Sequence, residues 1–137
     1  MATFKFELVS PERILFSGEA TSVIVPSVEG EMTVLAGHAP LVATLKAGVV
    51  LVQTSDSNGK EFFVNGGLIE INQVSATILA EQARFIEDVD AAVLDAEILA
   101  VETRLAATTD ETVKKRLQEI LVQLREFKHV FEGRKAA

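Results

Sequence analysis

The chain has no cysteine, which excludes disulfides, zinc–thiolate centres and thiol nucleophiles. It has only two histidines, His38 and His129, far apart and without a serine elbow, metal-ligand spacing or phosphate loop near either. Gly66-Gly67 lacks the lysine and Ser/Thr of a phosphate loop and reads as a tight turn between strands. Long apolar runs are missing as well. No window approaches the roughly twenty residues of a membrane helix, and Met1-Ala2-Thr3-Phe4-Lys5 does not read as a signal peptide. Basic charge is scarce: 13 Lys and Arg stand against 20 Asp and Glu, for a net charge of −7. That balance argues against a general nucleic-acid binder, which needs a basic face to displace counterions from phosphate. The acidic run Glu87, Asp88, Asp90 reads as capping at a helix start rather than as a cation site. The expectation is therefore no catalytic residue, no metal and no cofactor.

What is present falls into two parts. From Phe4 to Ala80, turn signals recur every few residues: Pro11, Gly18, Pro26, Gly30, Gly37, Gly48, Asn58-Gly59, Gly66-Gly67 and Asn72. The segments between them are short and rich in Val, Ile, Leu, Thr and Phe, which predicts an antiparallel β-sandwich over residues 1–87. Phe4, Phe6 and Leu8 alternate with Lys5 and Glu7, as Val23 and Val25 do with Ser22 and Ile24, so each set lines one face. Burying each large side chain contributes roughly 1.5–3 kcal/mol before entropy is subtracted. Val49 to Val52 and Phe62 to Val64 are apolar on both faces, as central strands are. Ser55-Asp56-Ser57-Asn58-Gly59 is the best hairpin.

After Ala80 glycine and proline vanish until Gly133, and the apolar period changes. Leu94, Ile98, Val101 and Leu105 form one helical stripe; Val113, Leu117, Ile120, Leu124, Phe127 and Phe131 form another. The spacing predicts an antiparallel two-helix hairpin over residues 88–137. Asp88 is the expected cap of the first helix, with Asp90 in its first turn. Thr108 and Glu111 form a capping box for the second, with Asp110 beside them. Charge is uneven: residues 108–137 hold seven bases and five acids, against five and eleven in residues 1–88. Lys114, Arg125 and Lys128 fall on neighbouring turns of one face, with Lys115 and Arg116 beside them. They read either as a solvated flank or as a surface for an acidic partner. Helices this short depend on packing their stripes, so the hairpin is either a fixed cap or a movable element.

The stretch with the most local specification is Glu29 to Leu41. Gly30 and Gly37 can take backbone angles closed to other residues, and Pro40 fixes its own φ and extends Ala39. A loop held this firmly is either a docking surface or simply a turn that His38 satisfies.

Ser10-Pro11-Glu12, Phe16-Ser17-Gly18, Pro26-Ser27-Val28-Glu29-Gly30-Glu31 and Gly37-His38-Ala39-Pro40-Leu41 occur in an order and spacing that resemble the epsilon subunit of the bacterial F-type ATP synthase. Leu45-Lys46-Ala47-Gly48 and Gly66-Gly67 extend the match, which runs from about Thr3 to Phe131. The resemblance implies a non-catalytic rotor subunit of the central stalk. It would bind the gamma subunit and the ring of c subunits through Glu29, Glu31, Gly37, His38, Ala39, Pro40 and Leu41, coupling proton flow to ATP synthesis. It also implies a hairpin that can extend and suppress ATP hydrolysis, with Lys114, Lys115, Arg116, Arg125 and Lys128 meeting acidic parts of the catalytic alpha and beta subunits. Its place would be peripheral, on the cytoplasmic face of the bacterial plasma membrane. Some members bind ATP through Ile/Leu-Asp-x-x-Arg-Ala; this chain keeps Asp90 but has Val93 at the arginine position, which removes the cation that would meet phosphate. The alternative is a free-standing β-sandwich binding module for a peptide or small ligand. A concave polar pocket would mark the module, and an open apolar face would mark the rotor subunit.

Overall fold

Alternation of apolar and polar residues turns most of the first part into strands with one wet face and one dry face. In the computed structural model, which describes residues 2–56 and 58–136, the chain divides into two compact units, Met1–Ile86 and Glu87–Ala137. Ser57, within the stretch expected to form a hairpin, and the terminal Met1 and Ala137 lie outside the described residues.

The first unit holds eight strands: β1 Phe4–Val9, β2 Ile14–Ala20, β3 Ser22–Ser27, β4 Gly30–Leu35, β5 Leu41–Thr44, β6 Gly48–Gln53, β7 Gly59–Ile71 and β8 Ser75–Phe85. They hydrogen-bond in the order β2-β1-β8-β7-β6-β3-β4, with β5 also on β7. Side chains from both ends of that order, among them Phe6, Leu8, Val23, Val25, Val34, Val50, Phe62, Ile69 and Ile78, bury into one core cluster. The strands therefore wrap around a shared interior, as the expected β-sandwich requires. Pairing is antiparallel throughout except for β1 on β8, which is parallel. These are the first and last strands, so no tight turn has to join them and the parallel arrangement is open.

β7 organises the unit. At thirteen residues it is the longest strand: it pairs β8 along one edge, while its other edge pairs β6 over Gly59–Val64 and then β5 over Leu68–Ile71. The hand-over falls at Gly66 and Gly67, which have φ of +75° and +107°. The tight turn expected there is instead a bend inside a continuous strand. The register with β8 is the same on both sides of the pair, so β7 bends without slipping.

Phe62, Phe63 and Val64 are all buried, as a strand covered on both faces requires. In β6 the burial alternates instead: Val50 and Val52 are buried, while Val49 and Leu51 are half-buried. Phe6, Phe16, Phe62 and Phe85 form a chain of rings with successive centroids 5.8, 6.3 and 5.5 Å apart. The Arg13 guanidinium sits 5.0 Å over Phe85 and the Lys60 ammonium 5.7 Å over Phe16. The hairpin between β6 and β7 is closed by Thr54 and Asn58, with the Thr54 amide donating to the Asn58 carbonyl at 3.2 Å. The Asp56 carboxylate accepts from the Thr54 hydroxyl and the Asn58 amide, which holds its carboxyl below the usual range.

A 3-10 turn at Ile86–Asp88 spans the boundary, and the second unit holds α1, Ala91–Ala107, and α2, Glu111–Ala136. Both expected caps move by two residues. Asp90, not Asp88, caps α1, its Oδ1 accepting from the Val93 amide at 2.8 Å. Asp88 cannot do so because the 3-10 turn occupies it. Asp110 accepts from the amides of Thr112 and Val113 at 2.9 and 3.1 Å, and Thr108 turns its hydroxyl to the Asp110 amide instead. In both helices the aspartate directly before the first helical residue takes the capping position, its carboxylate accepting from free amides of the first turn. Leu94, Leu117, Leu121, Leu124, Phe127 and Phe131 are buried, whereas Val113 is exposed. Ion pairs join Asp95 of α1 to Lys128 of α2 at 2.7 Å, and Glu102 to Arg125 at 3.0 Å. Residue numbers rise along α1 as they fall along α2, which makes the hairpin antiparallel. Among the described residues no helix is long and apolar enough to cross a membrane.

Candidate functional site

The Glu29–Leu41 stretch is built around β4. At its start, β3 and β4 meet in a turn across Val28 and Glu29, where Ser27 Oγ donates to the Gly30 carbonyl at 2.7 Å and accepts from the Glu29 amide at 3.2 Å. Gly30, at φ +125°, makes this turn accessible to the backbone. At its other end the His38 amide donates to the Leu35 carbonyl at 3.1 Å, closing a turn through Gly37 at φ +80°. Nothing lies within 4 Å of where a Gly37 side chain would project, so its glycine answers to backbone angle alone. His38 Nδ1 lies 2.8 Å from the Ala39 carbonyl, which fixes the ring beside Pro40.

The structure thus separates the proposed contact residues into two groups. Glu29 and Glu31 lie at the first turn; Gly37, His38, Ala39, Pro40 and Leu41 lie at the second. Four residues of extended chain, about 13 Å, run from Glu31 to Leu35.

The second turn carries apolar groups that motif reading missed. These are Leu35 and Val42, 55% and 62% exposed, beside the expected Leu41 at 41% and exposed Ala39 and Pro40. The signal was present in the alternation of β4: Val34 is buried, so Leu35 shares the outer face with Glu31 and Thr33. An open groove of about 480 Å³ runs alongside, bounded by Pro40, Leu41 and Val42 on one side and Glu70 and Ile71 on the other. β5 pairs with β7 along one edge, and at its far end the Thr44 carbonyl accepts from the Val28 amide at 3.0 Å. The apolar turn can dock a surface, with acidic Glu29 and Glu31 standing apart at the other end of β4.

The proposed basic contact residues lie on α2 and are not equally available. Lys114 pairs with Glu111 at 3.7 Å, Arg125 with Glu102 and Lys128 with Asp95; Lys115 and Arg116 are exposed. The hydrogen bond and charge of Asp95 raise the Lys128 pKa above its ordinary value. Asp90 spends one carboxylate oxygen on the cap of α1, and Val93 beside it is 40% exposed and apolar.

Comparison with known proteins accounts for both units. Residues 3–86 match the family model described as the ATP synthase Delta/Epsilon chain β-sandwich domain. The ATP synthase epsilon chain of Sinorhizobium medicae is 43% identical over 122 residues, covering 89% of this chain and 90% of that one. That of Parvibaculum lavamentivorans is 38% identical over 90% of this chain and 94% of its own length, and that of Bradyrhizobium sp. strain BTAi1 is 49% identical over 77% of each. A chain of the Euglena gracilis mitochondrial ATP synthase has the same fold, with a TM-score of 0.71 at 21% identity over 97% of this chain and 81% of that one. From the matched sandwich and the length shared with these relatives, the chain belongs to the ATP synthase epsilon-chain family, whose members are non-catalytic subunits.

Proposed function

We propose that the protein is a rotor subunit of the central stalk of a bacterial F-type ATP synthase, helping to couple proton translocation to ATP synthesis. The observation that carries this reading is the match to epsilon chains over nine-tenths of both lengths, which takes in the sandwich and the hairpin together. The sandwich grips the gamma subunit and rests on the c-ring, with the complex peripheral to the cytoplasmic face of the plasma membrane. The turn at Gly37–Leu41 supplies the ring contact: it is rigid before binding, so little ordering entropy opposes docking, and Leu35, Leu41 and Val42 offer apolar area. Glu29 and Glu31 form a second, acidic contact at the other end of β4.

The hairpin is the regulatory part. Lys114, Lys115, Arg116, Arg125 and Lys128 face acidic surfaces of the alpha and beta subunits when the hairpin extends, restraining hydrolysis. The start of α1 keeps Asp90 but carries Val93 where an arginine would meet phosphate, which argues against ATP sensing there.

His38→Ala tests the ring contact. The isolated variant should unfold within about 1 kcal/mol of the parent, since His38 is only half-buried and its ring bonds its own turn at the Ala39 carbonyl. In reconstituted complexes, proton pumping per ATP hydrolysed should fall. Unchanged coupling would remove the Gly37–Leu41 turn from the ring contact.

A further inference from the structure

We infer that the pairs Asp95–Lys128 and Glu102–Arg125 form an ionic clasp that holds the hairpin closed and keeps two of its cations from any outside partner. Three observations converge on this. Both pairs cross from α1 to α2, at 2.7 and 3.0 Å. They flank the apolar seam, Asp95 following buried Leu94 and Glu102 following half-buried Val101. All four side chains remain between 34% and 58% exposed, which leaves the pairs open to screening by salt. The hydrogen bond and charge of Asp95 also raise the Lys128 pKa, which favours the charged ammonium in the pair.

The consequence deepens the regulatory reading and rests on it. Arg125 and Lys128 cannot bind an acidic surface on a neighbouring subunit while they bind Asp95 and Glu102. Opening therefore has to precede that contact or exchange one set of carboxylates for another. Lys115 and Arg116, exposed in the closed hairpin, can make the first encounter. The clasp is a competitor carried on the same chain, and its strength sets how readily the hairpin leaves its closed form.

Because the chain has no cysteine, Ala92→Cys and His129→Cys, both at exposed positions, give a doubly labelled full-length protein whose interhelix distances can be read by pulsed electron spin resonance. In the parent, raising salt from about 20 mM to about 0.5 M should increase the separated population by roughly two- to tenfold. Asp95→Asn with Glu102→Gln should produce that increase at low salt and abolish the salt response. Asp95→Lys with Lys128→Asp, which restores a pair in the opposite sense, should return the distances towards those of the parent. Identical distance distributions in the parent and the neutralised variant would overturn the clasp. The hydrolysis rate of reconstituted complexes is the separate readout of the regulatory reading: longer distances with an unchanged rate would uphold the clasp and overturn inhibition by these cations.

Discussion

Gly67→Ala is expected to destabilise the sandwich by roughly 3 kcal/mol or more, the largest effect of any single methyl group in the chain. Two causes act together. Gly67 has φ of +107°, outside the range that residues with a β-carbon normally adopt. An added β-carbon would also press on the Leu79 carbonyl and come within 2.8 Å of the Ala80 α-carbon in the facing strand. These are backbone atoms of a strand fixed on both sides, so no rotamer change relieves the contact. β8 would have to leave β7, and with it the parallel pair to β1. Urea unfolding of the variant should show a much lower midpoint. Gly133→Ala is the natural control: it stands in α2 with nothing within 4 Å of the added atom, and should be neutral or stabilise by up to about 1 kcal/mol. A Gly67→Ala variant as stable as its parent would mean that β7 does not bend there.

Phe62→Ala should cost about 3–5 kcal/mol, the range for emptying a buried aromatic site. Phe62 is 1% exposed, and its ring lies between those of Phe16 and Phe85 in the ring chain. Its loss leaves a void at the meeting of β2, β7 and β8, where neighbours held in paired strands relax little. Phe62→Leu should recover most of that loss. The two units can unfold separately, so the transition is best followed by a probe in the sandwich, such as amide exchange of β7 and β8. A loss below about 1 kcal/mol would contradict the closed aromatic core.

The helices and the dry faces of the strands were legible because each depends on a local period. Leu94 spaced 4, 3 and 4 to Leu105 specifies its stripe whatever it meets, and Phe4, Phe6 and Leu8 specify a face whatever strand lies beside them. Contacts between distant segments were not legible. Nothing near β1 announces that β8 pairs with it in parallel, and nothing in Phe6, Phe16, Phe62 and Phe85 announces that their rings will meet. Gly66-Gly67 looked like a turn because a turn and a strand bend make the same demand for positive φ; which one forms depends on strands far away in sequence. Leu121 joined the buried set in place of Val113 because its place on the helix answers to tertiary packing that a local period does not encode.

At the candidate site the motif was legible and its geometry was not. Gly37 and Pro40 announced a shaped turn, and Gly37 does take a positive φ there. That Glu31 and His38 stand on different turns follows from the extension of β4, and the exposure of Leu35 follows from its parity with Glu31. The pairing of Arg125 and Lys128 could have been anticipated: Asp95, Glu102, Arg125 and Lys128 lie beside seams whose spacings match when the helices run antiparallel. Reading each helix alone hid it.

The most direct measurement of the account is affinity purification of the tagged, full-length chain from detergent-solubilised membranes of its own cells, followed by identification of the bound proteins and an ATPase assay. A rotor subunit should bring down gamma and the ring subunits with ATP hydrolysis activity, and His38→Ala should bring down less of the ring than the parent does. A clean monomer from the same membranes under gentle conditions would contradict the rotor reading.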